Sequence, residues 1–409
     1  MMETKTQVPF LRPDLGDQEV ESVVATLRSG WLTSGPKVQQ FEKGFAAAVR
    51  GRHAVALNSG TAALHLAVEA LKLKPGQAVL VPTMTFAATA EVVRYQGAIP
   101  ILLDCDPVTL NMNLDNAELM VNRLRDGQLQ GTLPRDLTVV GIIPVHVGGM
   151  MMDISSIKRF SADHGLWVVE DAAHAFPSAW RTCPDDPWQM CGEDTATVSC
   201  FSFYANKTIT TGEGGMAVTG DAELADRMRL MSLHGLSHDA WGRYSGGGSW
   251  DYKIIAPGYK YNLTDIAAAI GIHQLERAEE MRLKREEIAH RYLEELSDVE
   301  EIELQHDDIN RIHSWHLFPI RLRLERISIS RNEFIEKLKE DGVGCSVHWR
   351  PLHLHPYYQE TFGWRPDDFP IATSLWERLI SLPIFPGMME DEVMYVLQTI
   401  KRICASHLR

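Results

Sequence analysis

Residues 199–215 read SCFSFYANKTITTGEGG, and residues 168–175 upstream read VVEDAAHA. Each opens as an apolar, β-branched or aromatic run that reads as a buried strand. The first run delivers Lys207 into a Gly-rich loop, and the second ends on Asp171. Taken alone, such a lysine reads equally as a solvated surface charge, and such an aspartate as a helix cap or turn residue. Together they are the pair that pyridoxal phosphate chemistry needs. An amine holds the cofactor covalently and moves protons, while a carboxylate keeps the pyridine nitrogen protonated so that the ring accepts electrons.

Outward from these two runs, strand and helix patterns alternate between residues 53 and 234. The strands are HAVAL (53–57), AVLVP (78–82), IPILLD (99–104), TVVGIIPV (138–145), LWVVED (166–171), TATVSCFSF (195–203) and GGMAVTG (214–220). Such alternation predicts a three-layer α/β/α fold around a mostly parallel sheet. Ligands in sheets of this kind bind beyond the carboxyl ends of the strands, where Asp171 falls. Residues 235–257, rich in Gly, Ser and aromatics and without periodicity, read as a long loop. From Leu263 a helical pattern runs to about Ser297 and leads into a smaller α+β C-terminal domain. Its strands are expected near VEEIELQ (299–305), HLFPIRL (316–322) and GCSVHW (344–349), and its helices near 330–342 and 389–403. Ser330 and Glu333 make a capping box for the first of these helices. The chain thus divides into a large cofactor-binding domain with an N-terminal substrate-loop segment, residues 1–262, and a connecting helix with the small domain, residues 263–409.

A phosphate cup and a ring clamp are legible upstream. In HAVALNSGTAALHLAVEALKL (53–73) a short strand passes through Asn58, Ser59, Gly60 and Thr61 into a helix. Free amides and the positive end of the dipole attract phosphate at such a start, and the Thr61 hydroxyl adds a donor; an ordinary Ser/Thr cap is the plainer reading. In AVLVPTMTFAATAEVVRYQG (78–97) a buried strand is broken by Pro82, and Phe86 beyond it is placed to stack on a flat ring or to fill the core.

In this order the segments resemble the DegT/StrS family of sugar-nucleotide aminotransferases, which have the aspartate aminotransferase type of fold. The likeness runs through GWLTSGPKVQQFE (30–42), NSGTAALHLA, PTMTFAATAEVV, EDAAHA, FSFYANKTITTGEGG, PGYKYNLTDIAAAIG (257–271) and VGCSVHWRPLH (343–353). It implies that Lys207 carries the cofactor, Asp171 meets the pyridine nitrogen and His174 donates to the ring hydroxyl. It likewise implies that Ser59, Gly60, Thr61 and Ser202 hold the phosphate, that Asn262 joins from a second subunit of a homodimer, and that Phe86 covers one ring face. Trp31 and Thr33 become substrate-loop residues by the same resemblance. The expected activity is amino transfer, with glutamate as donor, to a nucleotide-linked 4-keto sugar in polysaccharide or lipopolysaccharide biosynthesis. The segments GYKYNLTDI and GWLTSGPK look most like the branch making 4-amino-4-deoxy-arabinose nucleotides. One departure is VHVGGMMMD (145–153), where the family more often has an aromatic before the glycine.

His316, His348, His353 and His355 form a second cluster. Their spacing lacks a zincin pattern and the family uses no metal here, so they read as a polar wall for substrate. Arg350, with its planar fork, suits a diphosphate, the donor's carboxylate or a surface ion pair. Two rival activities are a sugar dehydratase, against which Lys207 argues because such members lack it, and a non-catalytic binding module, which has no need of that lysine.

Composition bounds these readings. Lys plus Arg total 40 against 54 Asp plus Glu, a net charge of −14 that repels nucleic acid overall. The chain of 409 residues is 45% apolar, enough for a sizeable core, yet no run is long enough for a membrane span. The N-terminus MMETKTQVPFLRPD lacks the apolar stretch of a signal peptide, so a cytoplasmic location is expected. Six cysteines without a CxxC pair read as reduced thiols.

Overall fold

The computed structural model describes residues 6–128, 132–134, 137–237 and 252–409. The strands are β1 (His53–Leu57), β2 (Gln77–Pro82), β3 (Ile99–Leu103), β4 (Thr138–Ile142), β5 (Trp167–Asp171), β6 (Ala179–Trp180), β7 (Gln189–Met190), β8 (Val198–Ser202), β9 (Gly215–Thr219), β10 (Ile302–Glu303), β11 (Arg311–Ile312), β12 (Phe318–Leu322) and β13 (Leu379–Leu382). The helices are α1 (Asp17–Ser29), α2 (Pro36–Ala48), α3 (Gly60–Ala70), α4 (Ala88–Tyr95), α5 (Leu114–Arg125), α6 (Ile154–His164), α7 (Ala222–Ser232), α8 (Asp265–Glu276), α9 (Ala278–Glu295), α10 (Arg331–Glu340), α11 (Pro356–Phe362), α12 (Pro370–Arg378) and α13 (Glu390–Ser406).

A seven-stranded sheet in the order β1-β9-β8-β5-β4-β2-β3 forms the centre. β9 runs antiparallel to both of its neighbours, and the other pairs are parallel. Consecutive residues of β3 and β9 are all buried, so both faces of the sheet are covered, as the unbroken apolar runs predict. The chain therefore has the three-layer α/β/α fold expected from the alternation. A second sheet, β10-β12-β13, is antiparallel and belongs to the smaller C-terminal part.

Two apolar clusters fill the interior. The larger includes Phe41, Phe45, Leu57, Val81 and Phe203, and residues of the 352–379 stretch such as Leu352, Phe369 and Leu375 return to it. The smaller gathers Tyr292, Trp315, Phe334, Phe385-adjacent Ile384 and Val396, together with Val8 from the N-terminus.

Several local expectations changed. The helical pattern from Leu263 to Ser297 is two helices, α8 and α9, joined at Arg277. GCSVHW forms no strand: Val343 bridges Val8 while Ser346 bridges Ser381, and two unrelated partners build no ladder. VEEIELQ pairs only through β10, and β13 lies in a run that its sequence did not single out. Most of the expected 235–257 loop lies outside the described residues; its flanks meet through a Leu236–Ile254 bridge. The capping box at Ser330 is present, with Ser330 Oγ accepting from the Glu333 amide and the Glu333 carboxylate from the Ser330 amide.

Candidate active site

The carboxyl ends of β5 and β8 and the start of α3 open onto one cavity of about 420 Å³. Close backbone approach makes this possible. A Cβ on Gly60 would lie 2.9 Å from the Ser202 Cβ, and one on Gly215 would lie 2.3 Å from the Ser59 carbonyl oxygen. Only glycine at both positions lets the α3 N-terminus, β8 and β9 converge. Ser59 caps α3 by accepting from the Ala62 amide at 3.0 Å. The Gly60 and Thr61 amides have no acceptor among the described residues, and both residues line the cavity with Ser202. Free donors at a helix start suit an anionic group such as a phosphate.

Lys207 leaves the loop after β8, which folds back on Phe203: the Phe203 amide donates to Gly214 O at 2.8 Å and the Thr211 amide to Phe203 O at 3.0 Å. The lysine lines the cavity and has no hydrogen bond or ion pair from its amine among the described residues. Burial lowers its pKa to about 8, against the pull of Asp171. Asp171 ends β5; burial raises its pKa, opposed by the Thr89 hydroxyl, the Ala173 amide and Lys207. Thr89 Oγ1 donates to Asp171 Oδ2 at 2.7 Å and shares a 2.7 Å bond with Thr85 Oγ1. Among the described residues no cation forms an ion pair with this buried acid, a setting that a protonated pyridine nitrogen would complete.

His174 is fixed in one tautomer. The Gly148 amide donates to its Nδ1 at 3.2 Å, so the neutral ring carries its proton on Nε2. Burial holds its pKa well below the ordinary histidine range. Trp349 stacks on it with ring centroids 5.1 Å apart, and His316 lies against it at 4.2 Å. His316 and His348 also line the cavity; burial and the Lys207 charge depress both, His348 to about 4. Phe86 stands at the rim, 62% exposed.

The cavity thus unites Lys207, Asp171, Ser59, Gly60, Thr61, Phe86, His174, Ser202, His316 and His348. It leaves out six expected residues, among them His355, whose Nε2 lies 3.3 Å from the Arg350 carbonyl oxygen. His353 is fully buried, with Nδ1 bonded to Thr83 Oγ1 at 2.7 Å and Nε2 to Thr373 Oγ1 at 2.9 Å, so both nitrogens are spent on structure. Arg350 is exposed and donates to Leu354 O at 2.8 Å. Trp31 Nε1 donates to Ser34 O at 3.0 Å, and the Thr33 carbonyl accepts from the Asp265 amide at 3.2 Å. Asn262 Nδ2 donates to Ser34 Oγ at 2.8 Å, which welds the 30–42 and 257–271 segments into one unit. Thr85, Thr89 and Trp349 were not singled out from sequence. The i, i+4 threonine pair that straddles the start of α4 was the available signal for the first two.

Amine, buried acid, helix-start donors and an Nε2–H donor together fit pyridoxal phosphate, with a residue available for each polar part of the molecule. The DegT/DnrJ/EryC1/StrS aminotransferase family profile matches residues 13–401. The chain is 43% identical over 399 residues to the spore coat polysaccharide biosynthesis protein SpsC of Bacillus subtilis, covering 97% of each. Among solved structures it is similar to Spr1654 of Streptococcus pneumoniae, described as a sugar aminotransferase, in its PLP form. That likeness has 30% identity, a TM-score of 0.85, and coverage of 98% of this chain and 99% of the other. A family member from Brucella abortus is 29% identical with a TM-score of 0.81, covering 94% and 95%. On its near full-length match and the assembled site, the chain belongs to the DegT/DnrJ/EryC1/StrS aminotransferase family.

Proposed function

We propose that the protein is a pyridoxal phosphate aminotransferase that moves an amino group from glutamate to a nucleotide-linked 4-keto sugar, as a cytoplasmic homodimer with shared active sites. The observation that carries this reading is the convergence of Lys207, Asp171 and the α3 N-terminus on one cavity. The similarity to SpsC, a polysaccharide biosynthesis protein, supports a sugar acceptor.

Bound in this cavity, the cofactor supplies an electron sink for the Cα–H bond of the donor. The chain's residues do the rest. With the cofactor bound and the donor amine in its place on it, the free Lys207 amine would take the proton from the donor's Cα and return it at the cofactor's C4′; burial lowers its pKa to about 8, which suits a base near neutral pH. Asp171 keeps the ring nitrogen protonated, and Thr89 holds its carboxylate in place. The His174 Nε2–H donates to the ring hydroxyl. Gly60, Thr61 and Ser202 hold the phosphate, Phe86 covers a ring face, and His316 and His348 face the substrate. The same proton movements in reverse aminate the keto sugar.

Asn262 is assigned to the partner's phosphate. It lies outside the cavity of its own chain, on the unit held by Ser34. An intact Lys207 disfavours the dehydratase reading. The test is to incubate the enzyme and glutamate with a panel of keto-sugar nucleotides and to identify aminated products by mass spectrometry and NMR. A panel that includes 4-keto pentoses and 4-keto-6-deoxy hexoses but yields no aminated sugar would overturn the acceptor assignment.

A further inference from the structure

Behind Asp171, on the adjacent residue of β5, Glu170 is completely buried. Its Oε2 accepts from Thr195 Oγ1 and Ser199 Oγ, each at 2.7 Å, and its Oε1 faces His146 Nε2 at 3.5 Å. His146, also fully buried, is connected in three directions. Its Nδ1 accepts from the Met152 amide at 3.3 Å, its own amide donates to the Asp171 carbonyl at 3.3 Å, and its Nε2 therefore carries the proton directed at Glu170. Met152 and His146 bracket a tight turn, residues 146–152, and the Gly148 amide at its centre is the donor that fixes His174. Asn111 braces the same turn from outside, through bonds to the Val147 amide and the Met150 carbonyl. Cys191 Sγ lies within 4.8 Å of the His146 and Glu170 ligand atoms. A metal is a poor occupant there, because hydroxyls already take Oε2 and burial holds the thiol pKa well above its usual value.

We propose that Glu170 and His146 form a positioning pair that holds the 146–152 turn against β5, so that Gly148 keeps His174 in its Nε2–H tautomer facing the cofactor's ring hydroxyl. This rests on the role given to His174 above. The turn is the segment where the sequence departs from the family pattern, and its one polar ring replaces anchoring that apolar packing alone would leave unspecific in register. Since β5 carries Glu170 and Asp171 on successive residues, one strand end orients both the acid and, through His146, the hydroxyl donor.

The test uses the holoenzyme and variants that separate the two side-chain contacts of His146, the Met152 amide on Nδ1 and the Glu170 carboxylate facing Nε2. Glu170→Gln keeps the shape and removes the charge. His146→Asn retains an acceptor near the Nδ1 position for Met152 but cannot reach Glu170. His174→Asn sets the full effect of losing the ring-hydroxyl donor. The readouts are the absorption band of the bound cofactor across pH and the cofactor dissociation constant, measured on protein whose circular dichroism matches wild type. Glu170→Gln and His146→Asn are each expected to shift the band in the direction of His174→Asn and to weaken cofactor binding by up to about tenfold, the scale of one charge-assisted hydrogen bond. If His174→Asn moves the band and the other two leave it at wild-type position, the inference is overturned while the His174 assignment stands. If His174→Asn also changes nothing, both fall. Should Glu170→Gln fail to fold, Thr195→Val removes one donor from the carboxylate and is expected to give a smaller shift of the same sign. An unchanged band in folded Thr195→Val and His146→Asn overturns the inference equally.

Discussion

Lys207 carries a charge that its surroundings disfavour, and this has a measurable consequence without any substrate. In the unfolded chain its amine holds a proton up to about pH 10.5, in the folded apoprotein only to about 8. Between those values the unfolded state binds more protons, so folding becomes more favourable as pH rises; below pH 8 both states are protonated and the full cost is present. That cost is on the order of 3 kcal/mol for such a shift. Apo Lys207→Met should therefore be more stable than the apo wild type near neutral pH, with the gap closing as pH rises towards 10.5. Urea midpoints of the two apoproteins across that range check it, and a gap independent of pH would refute the buried charge as its cause. For Asp171→Asn we expect cofactor still bound through the phosphate cup but the glutamate half-reaction slowed by roughly 10³-fold, read by single-turnover absorbance. Asp171 was legible as a charged residue closing an apolar strand, and Lys207 as a lysine in the Gly-rich loop just beyond another. Thr89 was not, since its bond to Asp171 spans 82 residues and threonines at helix starts are common for other reasons.

Among the elements, α3, β8 and β9 decide whether a phosphate cup exists. The glycines that read as loop punctuation are close-contact positions, where a single methyl group meets backbone. Gly215→Ala would set a Cβ against Ser59 and the Gly60 amide, so the helix start must move away from the strand. We expect a loss of about 1–3 kcal/mol in stability from the overpacking, with weaker cofactor binding beyond that expected from stability alone. Urea unfolding of the apoprotein and a cofactor titration separate the two. The helix–strand alternation located these elements well because both periodicities were strong. It failed at GCSVHW, whose extended residues pair with two separate partners, and at Arg277, where two helices meet without a sequence break strong enough to be read.

At the scale of the whole molecule, the assignment of Asn262 to a partner's site makes a prediction that neither subunit fulfils alone. Lys207→Ala removes the cofactor-linking amine, and Asn262→Asp sets a carboxylate against the phosphate. Each homodimer should be poorly active. Refolding the two variants together should restore activity, because one site of each mixed dimer then has both wild-type residues. If mixed dimers confirmed by native mass spectrometry stay inactive, Asn262 does not act across the interface. The division of the chain at residues 262 and 263 is likewise a proposal about folding units, and residues 352–379 from beyond it pack into the larger core.

The sequence by itself determined the class of fold and the order of its motifs, and it singled out Lys207 and Asp171 as candidates, since these depend on local periodicity and on residue type. Only the tertiary structure decided which candidates share a cavity. His316 and His348 enter it and His353 does not, although His353 is only five residues from His348, because the direction of a side chain depends on how distant segments pack. Thr83 and Thr373 claim both nitrogens of His353, while Trp349 and His174 draw the neighbouring stretch to the cavity. The Glu170–His146 pair was equally invisible in sequence: its members are 24 residues apart, and their partners Thr195 and Ser199 come from a third segment.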